Sequence, residues 1–139
     1  MLSARHQAYV PVVAMVLLAA CASPTPRGTD SGAARSTRVD DTTRLAQLER
    51  AARALAKSGG CESASSCRSA PLGSRACGGP RAFVVYCPAT TDTVALLRAL
   101  DELRHAEMDY NERSGAISTC EMRLPPKMTV QGGRCEAAQ

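Results

Sequence analysis

The chain has 139 residues, a formal charge of +4, seven cysteines and no tryptophan. That length allows one domain at most. The charge bias falls well short of a nucleic-acid footprint, so no nucleic-acid partner is expected.

Residues 9–20 form an apolar run behind Arg5 and the free amino terminus. The run suits the core of an export signal and is shorter than the ~20 residues a membrane-spanning helix requires. It closes on Leu18-Ala19-Ala20-Cys21. This quartet resembles the lipobox of bacterial lipoproteins. The resemblance implies a signal peptide over 1–20, cut before Cys21, with a diacylglyceryl group on the Cys21 sulfur and acylation (palmitate in type) of its amine. Gram-negative lipoproteins that stay at the inner membrane tend to carry Asp in the next position. Ala22 stands there, which implies a cell-envelope protein at the outer membrane, facing the periplasm. The membrane is then a partner through the lipid anchor.

Seven cysteines is an odd count for an exported chain. Assigning Cys21 to lipid leaves Cys61, Cys67, Cys77, Cys87, Cys120 and Cys135. Six can close three disulfides in an oxidising compartment, and the sequence leaves the pairing open. Residues 1–20 hold one Arg and no acid, so cleavage lowers the net charge from +4 to +3.

Residues 21–40 carry Ser, Thr, Pro, Gly, Ala and Arg, with Val39 as their one large apolar residue. They are expected to form the lipidated N-terminus and a disordered tether. The following residues, 41–58, read as an amphipathic helix: Leu45, Leu48, Ala52 and Leu55 share a face, Asp40 or Asp41 can cap it, and Ser58-Gly59-Gly60 stops it. A Cys-rich domain over 61–139 completes the chain. It opens with a loop over 61–80, rich in Ser, Gly, Pro and Cys.

A strand is expected over 81–87, with Phe83, Val84, Val85 and Tyr86 as good strand formers. The longest helix is expected over 92–114, capped by Thr90 or Thr91 and stopped by Gly115. Leu96, Leu97, Leu100, Leu103 and Tyr110 share its apolar face. Short strands are expected over 119–124, 127–130 and 134–137, with Pro125-Pro126 between the first two and Gln131-Gly132-Gly133 as a hairpin turn. The fold class is therefore α+β: a small disulfide-stabilised domain with a long helix packed on a short antiparallel sheet. At 79 residues its hydrophobic core alone would be marginal, and bridges of about 2–4 kcal/mol each fit the need.

Arg75-Ala76-Cys77-Gly78-Gly79-Pro80-Arg81, the strand ending at Tyr86, and the helix bearing Glu107 and Asn111 form a pattern with Cys120 and Cys135. It resembles a group of small uncharacterised bacterial lipoproteins with a CGGP motif before a strand. The resemblance carries no activity. Ser is expected after the strand Tyr in that group, so Cys87 departs from its pattern and sets the three-bridge count in question.

The cysteine spacing contains no C-x-x-C pair, and the mature chain offers one histidine, His105, on the polar face of its helix. No metal site and no cofactor are expected. No positioned nucleophile and base are legible, so no catalytic residue is assigned and the chain is not expected to be an enzyme. One group conflicts with its place: Glu107 falls inside the apolar stripe, beside Arg104, Tyr110 and Asn111. A carboxylate facing a core must be paired. Arg104 and Asn111 are the expected partners, in a structural network or a small polar site.

The function expected is a non-catalytic binding module for an envelope protein or glycan. Two alternatives stand beside it. One is a small extracytoplasmic enzyme with a polar site around Glu107. The other is a protease inhibitor that presents the 71–80 loop, where Arg75 lies near Cys77.

Overall fold

Residues 30–138 are described by the computed structural model. The expected signal peptide, Cys21 and the expected tether as far as residue 29 lie outside the described residues. The first element is a helix, α1 (Asp30–Leu55). It begins inside the segment expected to be tether, upstream of Asp40 and Asp41, which therefore do not cap it. The stretch Ala33-Ala34-Arg35 favours helix and no proline interrupts 30–55. This part of the helix is solvated: Thr37, Arg38, Val39 and Asp40 are all exposed.

Beyond α1 come β1 (Arg68–Leu72), β2 (Ala82–Tyr86), α2 (Thr93–Ser114), β3 (Met128–Gln131) and β4 (Arg134–Ala137), with one 3-10 turn at Ala64–Ser66. The strands make two antiparallel pairs, β1 with β2 and β3 with β4. The β1 strand arises in the stretch expected to be loop. Its partner supplies the reason: Ala70 pairs with Val84 and Leu72 with Ala82, so a weak strand former is held by a strong one. The strand expected over 119–124 does not form. Residues 116–127 run without helix, turn or bend and pair with no strand. The prolines 125 and 126 donate no backbone hydrogen bond, which disfavours pairing there.

Strand alternation divides the interior. Ala70 and Leu72 of β1, with Val84 and Tyr86 of β2, face a core that holds Ala52, Leu96, Leu100 and Leu103. Val85, between Val84 and Tyr86, points to the other side and packs on Cys61, Cys67, Cys87 and Cys135. Leu45, Leu48 and Leu55 of α1 close the first core, as their spacing predicts. On α2 the buried residues are Leu96, Leu100, Leu103 and Glu107, a single helical stripe. Leu97 lies off it and is exposed.

Asp92 caps α2, its carboxylate accepting from the Ala95 amide at 2.9 Å. The two threonines expected to cap it do other work. Thr91 is buried and exchanges two 3.1 Å hydrogen bonds with the Lys57 backbone. Thr90 donates to the Gly59 carbonyl at 2.6 Å. These bonds tie the exit of α1 to the entry of α2. Residues 57–60 also bridge the strand pairs: Lys57 O accepts from Cys87 N, and Ser58 O accepts from Cys135 N.

All six domain cysteines are paired: Cys61–Cys87, Cys67–Cys135 and Cys77–Cys120. Cys87 is thus bridged despite its departure from the CGGP pattern. The architecture is the expected small α+β domain, with two strand pairs in place of one sheet and with three disulfides. Among the described residues, no helix is long and apolar enough to cross a membrane.

Candidate functional site

Glu107 is buried to 7% exposure on α2, on the stripe that its spacing gives it. Its partners are not those expected. Oε1 accepts from Arg81 Nη2 at 2.8 Å and Nε at 3.3 Å. Oε2 accepts from the Ser74 amide at 2.5 Å. Arg104 turns away and pairs with Asp101 at 2.7 Å. Asn111 donates to the Ser74 carbonyl at 3.1 Å, so it braces the same backbone turn without touching the carboxylate. Tyr110 stands apart from Glu107, at a hollow of about 380 Å³ with Asp41, Arg113 and Ser114. The structure therefore brings Glu107 and Asn111 together through Ser74 and leaves Arg104 and Tyr110 outside the network.

The strand register explains why Arg81 reaches Glu107. Leu72 pairs with Ala82, so Gly73 and Arg81 face one another where the hairpin opens, against α2. Gly73 has φ of +68°, and a Cβ there would collide with the Glu107 carboxylate. Only glycine allows the loop to approach that closely.

Arg81 also holds Glu49 of α1 at 2.7 Å, and Glu49 holds Arg53 at 2.8 Å. The ladder thus joins α2, the β1–β2 loop and α1. The hydrogen bond that Arg81 donates to Glu107 leads in holding its guanidinium above its ordinary value, against the opposing effect of burial, and Glu49 adds to it. For Glu49, burial pushes the carboxyl upward, but hydrogen bonds from Arg53 and Arg81 outweigh it and hold the group below the usual range. Every oxygen of Glu107 is engaged, and no buried side-chain polar atom among the described residues lacks a partner. This is the chemistry of a structural clamp.

The second region lies where the loop over 71–80 meets residues 116–127. Arg75 is half-buried, and its Nη2 donates to the Thr119 carbonyl. The Cys77 amide donates to Ser118 Oγ at 3.0 Å. The Cys77–Cys120 bridge fixes the same contact covalently. Loop 71–80, itself exposed at residues 76–79, thus supports a segment that also faces solvent. Among the described residues, the three most exposed large apolar side chains all lie there: Ile117 at 97%, Met122 at 83% and Leu124 at 73%. Arg123 between them is exposed, and among the described residues it has no hydrogen-bond or ion-pair partner. A shallow cleft of about 230 Å³ separates residues 77–80 from 120–123.

The sulfurs of Cys61, Cys67 and Cys135 lie within 4.8 Å of one another. All three are spent in disulfides, and a metal ligand must be a thiolate. His105 is exposed and stays on its own helix, against Asp101. Neither Arg81 nor residues 116–127 stood out in the sequence. The Arg81 partner is remote in the chain, and an exposed apolar run beside a Cys reads as a strand. Compared with family models, with curated proteins and with solved structures, the chain has no match.

Proposed function

We propose that this chain is a lipid-anchored, extracytoplasmic module that binds a partner protein and performs no catalysis. One observation carries the binding half: among the described residues, the three most exposed large apolar side chains sit on one extended segment that a disulfide staples to the domain. Apolar groups gathered in this way mark interaction sites. The anchoring half rests on Leu18-Ala19-Ala20-Cys21 and on a scaffold with three bridges, which suits an oxidising envelope compartment. The polar group that could have served an enzyme, Glu107, is committed to Arg81 and Ser74.

Photo-crosslinking in cells tests the binding surface. A photoreactive residue at Met122 is expected to give a discrete protein adduct. The same residue at Val94, exposed on α2, is expected to give none. Equal labelling at both positions, or none at Met122, would contradict the reading.

A further inference from the structure

We infer that residues 120–126 form a preshaped inhibitory strand for a trypsin-like serine protease, with Arg123 entering the specificity pocket. This rests on the binding role proposed above and names its partner class. Four features combine.

First, the segment is already extended, and residues 117–126 donate no backbone hydrogen bond to the rest of the backbone among the described residues. The amides of 117–124 and nearly all the carbonyls of 117–126 remain available to a cleft that binds a chain as an added strand. Second, both flanks are fixed. The N-terminal side is held by Cys77–Cys120, by Arg75 on the Thr119 carbonyl and by Ser118 on the Cys77 amide. The C-terminal side enters β3 at Met128, where Lys127 O accepts from Ala138 N at 2.8 Å and Val130 pairs with the bridged Cys135. Third, Arg123 is an exposed cation with no partner among the described residues, and Met122 and Leu124 are exposed on either side. Fourth, Pro125-Pro126 fix φ just downstream and cut the entropy lost on docking.

The charge selects the enzyme. A buried acid at the base of the specificity pocket pairs with Arg at the cut position. An ordinary flexible substrate leaves once its peptide bond is cut. Here, hydrolysis of the Arg123–Leu124 bond would leave both new ends attached to the scaffold, at Cys120 and at Lys127. The cut strand would stay in the cleft, and the protease would remain occupied. Arg75, first expected to be the presented residue, instead holds the presented strand in place.

The test uses mature protein extracted from membranes in mild detergent, with trypsin and a small chromogenic substrate. Competitive inhibition is expected, with a Ki of about 1 µM or lower. Arg123→Ala should weaken it by ~100-fold while leaving the thermal melt unchanged, because Arg123 is exposed and has no hydrogen-bond or ion-pair partner among the described residues. Arg75→Ala should convert the chain toward a substrate, with faster cleavage after Arg123. Rapid cleavage after Arg123 without inhibition overturns the inference, as does an absence of inhibition at about 100 µM. Intact mass is read on the same sample. If Cys21 carries lipid and the Met122 crosslink forms but trypsin is not inhibited, only the protease partner is lost. If Cys21 is unlipidated, the anchoring role is lost instead.

Discussion

Arg81 grips Glu107 through Nη2 and Nε together, and the same guanidinium holds Glu49 of the other helix. Removing the buried partner leaves the Ser74 amide without its acceptor and Arg81 with Glu49 alone. Glu107→Ala is expected to lower the unfolding free energy by about 2–4 kcal/mol in urea melts with disulfides intact. Arg104→Ala should cost less than about 0.5 kcal/mol, since its pair with Asp101 is exposed. The reverse order would place the clamp on Arg104.

Gly73 is constrained twice, by its positive φ and by the carboxylate beside it. Gly73→Ala should destabilise by about 2 kcal/mol or more. Adding Glu107→Ala should recover part of that loss, because it removes the group the new Cβ meets. A double-mutant cycle reads this coupling directly; strict additivity would separate the two sites.

Acid weakens the clamp. The Glu49 carboxyl lies below its ordinary value of 4.5 in the folded chain. The unfolded chain therefore binds its proton first, and stability rises with pH through this range. Its contribution is complete above the ordinary carboxylate range and is lost as pH falls below about 4.5 toward the folded value. Glu49→Gln should flatten the pH dependence of the melting temperature below pH 5, and an unchanged slope would remove Glu49 from the account.

The bridges differ in exposure. Cys77 and Cys120 are exposed, whereas Cys61, Cys67, Cys87 and Cys135 are buried. Thiol–disulfide exchange requires access to sulfur. Mild reductant with mass-spectrometric mapping should therefore open Cys77–Cys120 first, with the core melt largely kept. Loss of the Cys67–Cys135 bridge should cost more, about 4 kcal/mol for a loop of 68 residues. Simultaneous reduction of all three would mean that the buried pair is not protected in solution.

Patterns local in sequence were legible. The stripe on α2 marked Leu96, Leu97, Leu100, Leu103, Tyr110 and Glu107 as one face; Leu96, Leu100, Leu103 and Glu107 are buried, whereas Leu97 at its edge is exposed and Tyr110 is half-buried. The six cysteines announced bridges by parity, but their pairing depends on how β2 and β4 meet. Partners remote in the chain were hidden. Arg104 is the near neighbour of Glu107 along the helix, yet Arg81 wins because the hairpin register delivers it beside the carboxylate. β1 was hidden for a related reason, since Arg68-Ser69-Ala70-Pro71-Leu72 becomes a strand only against β2. The segment 119–124 has strand-like residues but finds no edge to pair with, so propensity pointed to the right backbone shape and the wrong environment.

The most direct measurement is the intact mass of membrane-extracted protein, alkylated with and without prior reduction. The expected mass is that of a chain starting at an acylated Cys21, unlabelled before reduction and carrying six labels after it. A chain that retains residues 1–20, or one that takes label before reduction, would contradict a lipid-anchored scaffold closed by three disulfides.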